Sequence, residues 1–149
     1  MEIAEFTAPD DVIAQLRASS KLQALRELAK RAAVATGLDE ETIHAALLER
    51  ERLGSTGIGR RVALPHARIR GLDRIRGFFA RLERPIEFEA IDEQPVDLVF
   101  LLLAPEAAGK DHLAALARIS RLFRNPETCT RLRQAEDVAA LYAILTERQ

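Results

Sequence analysis

Three histidines and a single cysteine are the groups in this sequence whose ordinary pKa lies nearest neutrality, and their settings differ. His66 directly follows Pro65, and a proline pushes the residue before it, here Leu64, into an extended conformation. The imidazole is therefore expected at the end of a short extended piece, Val62 to Leu64, just after a glycine-rich run, and open α/β sheets present their sites at such strand ends. His112 stands near the first turn of a helix predicted from Lys110 to Phe123, where unpaired N–H groups and the positive end of the helix dipole favour an anion. Ile43, Ala46, Leu47 and Arg50 fall on one helical stripe, which turns the Arg50 guanidinium inward. Two histidines, an inward arginine and a glycine loop are compatible with phosphate. His44, among Ala45, Ala46 and Leu47, reads as structural or partly exposed. Cys129, without an activating neighbour, reads as a small core residue.

These groups must be positioned by a mixed set of elements. Ser20 to Gln23 fits a capping box, and Leu22, Leu25, Leu28, Ala29 and Ala32 recur at helical spacing until Gly37. Asp39 caps a second helix, the one carrying Arg50. Gly54 to Gly59 is too rich in glycine for a helix interior and reads as a tight loop. Ile75 to Leu82 alternates like a strand, Asp97 to Leu103 reads as a buried central strand, and Val12 to Leu16 as a further one. Lys110 to Phe123, Pro126 to Leu132 and Val138 to Leu145 carry apolar residues every three or four positions and read as helices. The expected fold is a single α/β domain over residues 1–149, a sandwich with a mixed β-sheet flanked by helices on both faces.

The composition excludes other classes. At 149 residues, 48% hydrophobic and 30% charged, the chain is a folded domain rather than a disordered or fibrous one. Its longest clean apolar run, Leu98 to Ala104, is far short of the ~20 residues that span a bilayer. Met1 to Glu5 lack the basic start and apolar stretch of a secretory signal, and one cysteine builds no intramolecular disulfide, so a cytoplasmic location is expected. The net charge of −1 conceals an asymmetry: Arg50 to Arg84 holds ten Arg and no Lys against Glu51, Asp73 and Glu83. Such a segment is either a solvated face or the surface for an anionic partner.

The run Gly54-Ser55-Thr56-Gly57-Ile58-Gly59-Arg60-Arg61-Val62-Ala63-Leu64-Pro65-His66 resembles the active-histidine signature of the fructose/mannitol-type enzyme IIA proteins of the bacterial phosphotransferase system. Pro95 to Pro105, followed by His112 to Ser120, resembles the second block of that family, in the form found in its nitrogen-regulatory branch. The resemblance covers nearly the whole chain. It implies that His66 is the phosphorylated histidine and that His112 faces it. It also makes Arg50, sixteen residues earlier, the phosphate-site arginine, and implies that Nε2 of His66 is reactive while Nδ1 is oriented by a backbone carbonyl. Two positions depart from the pattern: Arg61 stands where glycine is common, and Leu64 where isoleucine is usual.

A neutral imidazole is nucleophilic near neutral pH without a separate base. With the phosphoryl group already activated on a donor histidine, positioning and charge dispersal suffice, and no metal or cofactor is expected. In the implied mechanism Arg50 offers a charged fork, Ser55, Thr56, Gly57 and Gly59 form the phosphate-site loop with backbone dipoles, and His112 adds a hydrogen bond. The implied activity is that of a covalent phosphoryl-transfer protein of the transferase class. Its phosphoryl group comes from phosphoenolpyruvate through enzyme I and an HPr-type carrier, and its output is phosphorylation-dependent binding of regulatory targets such as transporters or sensor kinases. A sugar-transport enzyme IIA passing phosphate to a IIB domain is the alternative. A basic nucleic-acid module is a distant one, because the chain has no recognisable reader, no Trp and a single Tyr for stacking.

Overall fold

The computed structural model describes residues 1–148. In chain order, two short 3-10 turns at Ile3–Glu5 and Pro9–Asp11 lead into β1 (Val12–Leu16), α1 (Lys21–Thr36) and α2 (Glu40–Arg52). These are followed by β2 (Gly57–Gly59), β3 (Val62–Ala63), β4 (His66–Ile69), β5 (Arg76–Ile86) and β6 (Val96–Pro105). The chain ends in α3 (Gly109–Phe123), α4 (Pro126–Gln134) and α5 (Val138–Leu145).

The helix boundaries follow from local chemistry. Ser20 Oγ accepts from the Gln23 N–H at 3.1 Å, while the Gln23 side chain reaches back to the N–H of Ser19 at 2.7 Å, one residue earlier than a regular capping box requires. Gly37 closes α1 in the left-handed conformation, with φ 76° and its N–H donating to Ala33. Asp39 caps α2 by accepting from Thr42 N–H at 3.0 Å.

The six strands form one mixed sheet in the order β1-β5-β6-β3-β2, with β4 also pairing with β6. β6 runs antiparallel to β5 and parallel to β3 and β4, which places it at the centre. Its near-continuous apolar sequence has a simple cause: both faces are covered. Val99, Leu101 and Leu103 pack with Leu25, Leu28, Ile43 and Leu47 of α1 and α2. Leu98, Phe100 and Leu102 pack with Ile119, Leu122, Leu132, Leu141 and Leu145 of α3, α4 and α5. The sandwich expected from the sequence is the observed fold.

Three local readings need correction. Gly57–Gly59 is a strand, because Gly57 pairs across to Ala63 in a hairpin. His66 opens a strand instead of ending one, since His66 to Ile69 pair in parallel with Leu102 to Pro105. β5 continues past Leu82 and through Pro85 to Ile86, with a register shift after Arg81.

Candidate functional site

His66 is fixed by the sheet. The Leu102 N–H donates to Pro65 O at 2.9 Å, locking the backbone just before the imidazole. Nδ1 of His66 lies 2.9 Å from the carbonyl oxygen of Leu64. A carbonyl only accepts, so Nδ1 carries the proton and Nε2 keeps the lone pair. That lone pair meets Arg50, whose Nε lies 3.4 Å from His66 Nε2 while its Nη1 donates to Gly54 O at 2.9 Å. The last turn of α2 thus sets a half-buried guanidinium between the following loop and the histidine.

His112 is the fourth residue of α3, and its ring stands 5.8 Å from that of His66, centroid to centroid, in an edge-on arrangement. It is 8% exposed, and neither ring nitrogen has a hydrogen-bond partner among the described residues. A buried polar group left unpaired costs about 1–3 kcal/mol, which sets this ring apart from the hydrogen-bonded His66 beside it. Burial holds the pKa of His66 below its ordinary value; the positive charge of Arg50 adds to this, while the Leu64 carbonyl and Glu51 oppose it. Burial, then the charges of His66 and Arg68, likewise lower that of His112. Both rings are neutral near pH 7, one with a nucleophilic nitrogen aimed at a cation. Such a pair can attack an electrophile that carries anionic oxygens.

The glycine-rich segment contributes differently from expectation. Ser55 Oγ donates to Phe88 O at 2.7 Å and accepts the Gly57 N–H at 3.0 Å. The N–H and hydroxyl of Thr56 both donate to the Glu51 carboxylate. The hydroxyls of Ser55 and Thr56 and the N–H groups of Thr56 and Gly57 are therefore committed inside the protein and are not free donors for a ligand. The segment shapes the seat of Arg50 instead. Gly57 is required by close packing: a Cβ there would sit 2.8 Å from that of Ala90.

After Gly59 (φ 95°), the turn passes through Arg60 and Arg61 with φ 56° and 68°. Two consecutive left-handed residues suit a tight hairpin turn, normally at glycine or asparagine. Here side chains anchor the turn, with the Arg60 N–H donating to Asp92 at 2.8 Å and Arg61 Nη2 lying 2.6 Å from Asp97 Oδ2.

Much of the basic segment is internally paired. Arg81 donates to the carbonyls of Ala14, Leu132 and Ala135, Arg76 pairs with Asp11, and Arg52 with Glu49. Cys129 is buried, its Sγ 3.4 Å from Phe123 O, and burial pushes its thiol pKa up, which suits a packing role. His44 lies half-buried on α2.

Residues 5–148 match the family model described as "Phosphoenolpyruvate-dependent sugar phosphotransferase system, EIIA 2". The chain is 52% identical over 145 residues to a nitrogen regulatory protein of Bradyrhizobium diazoefficiens, covering 97% of this chain and 95% of that protein. The chain belongs to the EIIA 2 family, in its nitrogen-regulatory branch. It is also similar to the crystal structure of nitrogen regulatory protein IIA-Ntr from Neisseria meningitidis, with a TM-score of 0.92 at 32% identity over 97% of this chain and 99% of that one. The fold extends to mannitol IIA of Escherichia coli, with a TM-score of 0.78 at 19% identity and coverage of 93% and 97%.

Within this EIIA 2 domain, the structure brings His66, His112 and Arg50 together. The sequence reading did not single out Glu51 or Lys21, which form a half-buried ion pair at 2.7 Å, with Glu51 also holding the loop through Thr56. One signal was available: an acid in the last turn of a helix, between Arg50 and Arg52, opposes the helix dipole and needs a local reason. No helix among the described residues is long and apolar enough to cross a membrane.

Proposed function

We propose that this chain is a cytoplasmic phosphohistidine carrier that accepts a phosphoryl group on His66 from an HPr-type protein and signals through phosphorylation-dependent binding of regulatory targets. The single observation that carries the reading is the orientation of His66, whose Nδ1–H is held by Leu64 while the Nε2 lone pair faces Arg50 at 3.4 Å.

The step balances without a cofactor. The Nε2 lone pair forms a bond to phosphorus as the P–N bond of the donor histidine breaks, and that electron pair returns to the donor ring. His66 keeps its Nδ1–H, so the phosphorylated ring is formally cationic and the Leu64 carbonyl stabilises it. Arg50 disperses the charge of the transferring oxygens, and His112, neutral and unpartnered, donates one hydrogen bond to them. The arrangement supplies positioning and electrostatics, which is what phosphoryl transfer chiefly requires.

Phosphorylation adds close to two negative charges. Leu53 beyond the Arg50 turn and Leu113 beside His112 are 80% and 68% exposed, and a nearby dianion alters which partners such a surface accepts. The regulatory reading stands ahead of sugar transport because the relatives of higher identity are nitrogen regulatory proteins. It stands ahead of nucleic-acid binding because the arginines that motivated that reading are largely paired within the fold. Incubation with phosphoenolpyruvate, enzyme I and an HPr-type carrier tests the proposal. The intact mass rises by one phosphoryl group, and an unchanged mass with an active donor overturns the reading.

A further inference from the structure

Leu22, Leu25, Leu28, Ala29 and Ala32 recur at helical spacing on α1, and all but the first are buried. Leu22 is 64% exposed, so the apolar stripe runs beyond the part that this chain covers. It opens onto a groove of about 780 Å³ lined also by half-buried Leu48 of α2 and by Leu25, which belongs to the core. The walls are the first turn of α1, the last turns of α2, and the segment leaving β5. The cations in these walls are already matched: Lys21 lies 2.7 Å from Glu51 and 3.4 Å from Glu89, and Arg52 lies 2.8 Å from Glu49. Glu87 is exposed without a cation partner among the described residues, and exposed Glu89 shares Lys21 with Glu51, which leaves the rim acidic. Phe88 O accepts from Ser55 Oγ, and the Glu89 N–H donates to the Glu87 side chain at 2.8 Å. That wall therefore does not present the row of open main-chain groups that strand addition needs, and side chains must supply the contact.

We propose that this groove docks a basic amphipathic helix of a partner protein, with apolar side chains seated on Leu22 and Leu48 and flanking Lys or Arg facing Glu87 and Glu89. The occupant presents an apolar face because the two leucine side chains offer no hydrogen bond, and positive charge because the rim is acidic. The groove is separate from the phosphoryl centre, since His66, His112 and Arg50 do not line it. It adjoins that centre through Glu51, which also accepts from Thr56 in the loop where Gly54 holds Arg50. A helix docked here thus lies beside the loop that seats the arginine. Docking requires no phosphoryl group and does not depend on the carrier reading.

The test uses the unphosphorylated full chain and two synthetic peptides of about fourteen residues, each with leucine at helical spacing and alanine elsewhere, one carrying lysines and the other glutamates on the polar face. The lysine peptide binds, and the amide resonances that move belong to the first turn of α1, the end of α2 and Glu87 to Glu89. Leu22→Ser weakens binding about tenfold or more, Glu87→Gln weakens it about two- to fivefold at low salt, and the glutamate peptide binds at least about tenfold more weakly. Val34→Ser, at the other end of α1 and equally open to solvent, leaves the affinity at the wild-type value. Leu22 and Val34 are both exposed, so both variants keep the fold. Absence of binding, shifts centred on His66 and His112, unchanged affinity in Leu22→Ser, or an equal loss in Val34→Ser overturns the proposal. Equal affinity for the two peptides overturns the basic partner. A free protein that dimerises and becomes monomeric in Leu22→Ser assigns the groove to a second copy and overturns it too. Because no step uses phosphorylated protein, failure here and failure of the carrier reading are separate results.

Discussion

The proton on His66 is placed by a residue two positions earlier, for Nδ1 donates to the carbonyl of Leu64 at 2.9 Å across the intervening Pro65. That proline lacks an N–H and restricts Leu64 to extended backbone, while its own carbonyl is held by Leu102 on the central strand. The local Leu64-Pro65-His66 chain thus acts as a clamp that selects one tautomer, and the selected tautomer directs Nε2 toward Arg50.

Arg50→Lys keeps the charge but cannot reach both His66 Nε2 and Gly54 O as a fork does. Phosphoryl transfer slows by roughly 10- to 100-fold, as expected for losing a hydrogen bond to a charged group worth about 1.5–3 kcal/mol. Stopped-flow or quenched transfer from the phosphorylated donor checks this, and wild-type rates would remove Arg50 from the site.

His112→Ala retains acceptance at His66, since the nucleophile is untouched, but shortens the life of the phosphorylated form by losing a hydrogen bond to it. Mapping of the modified residue together with decay measurement tests both halves. Acceptance that is abolished, or a lifetime that is unchanged, contradicts the assignment.

Protonation links these rings to stability. Both histidines have folded-state pKa values below the ordinary 6.5, so the folded protein binds fewer protons than the unfolded chain. Their full contribution is therefore present above about pH 6.5, and stability falls as pH drops from there toward the folded-state values. His112→Leu removes one ring and its unpartnered nitrogens. In urea denaturation its stability relative to wild type rises as pH falls from about 7.5 to about 5.5, and a difference that is flat or narrows with acidification refutes the linkage.

How much was legible in advance depended on the range of the forces. The inward turn of Arg50 was readable because Ile43 and Leu47 share its helical stripe, and both are fully buried. The central strand was readable because a run buried on both faces has no polar positions apart from Asp97 near its start, paired to Arg61 and Arg133. The Gly57–Gly59 strand was not, because its pairing with Ala63 depends on a turn through two left-handed arginines that local propensity disfavours. The true start of β4 was hidden because it is fixed by pairing with Leu102, far along the chain. The approach of His112 to His66 came from family resemblance alone, since no periodicity links residues on different elements.

Arg61 offers a test of that turn. Arg61→Ala loses the Asp97 ion pair and keeps the left-handed strain, whereas Arg61→Gly loses the pair but relieves the strain. Arg61→Gly is the more stable of the two by about 1 kcal/mol in chemical denaturation, and equal stabilities would show that the backbone conformation there is unstrained.

The most direct test of the account is the site and atom of phosphorylation. Protein labelled on the histidine rings is phosphorylated by enzyme I and an HPr-type carrier, and ring nitrogen shifts are recorded beside His66→Ala. The account predicts one phosphoryl group on Nε2 of His66, with Nδ1 still bearing its proton, and none on a folded His66→Ala protein. Phosphorylation of His112 or of Nδ1 of His66, or stoichiometric labelling of the variant, would contradict it.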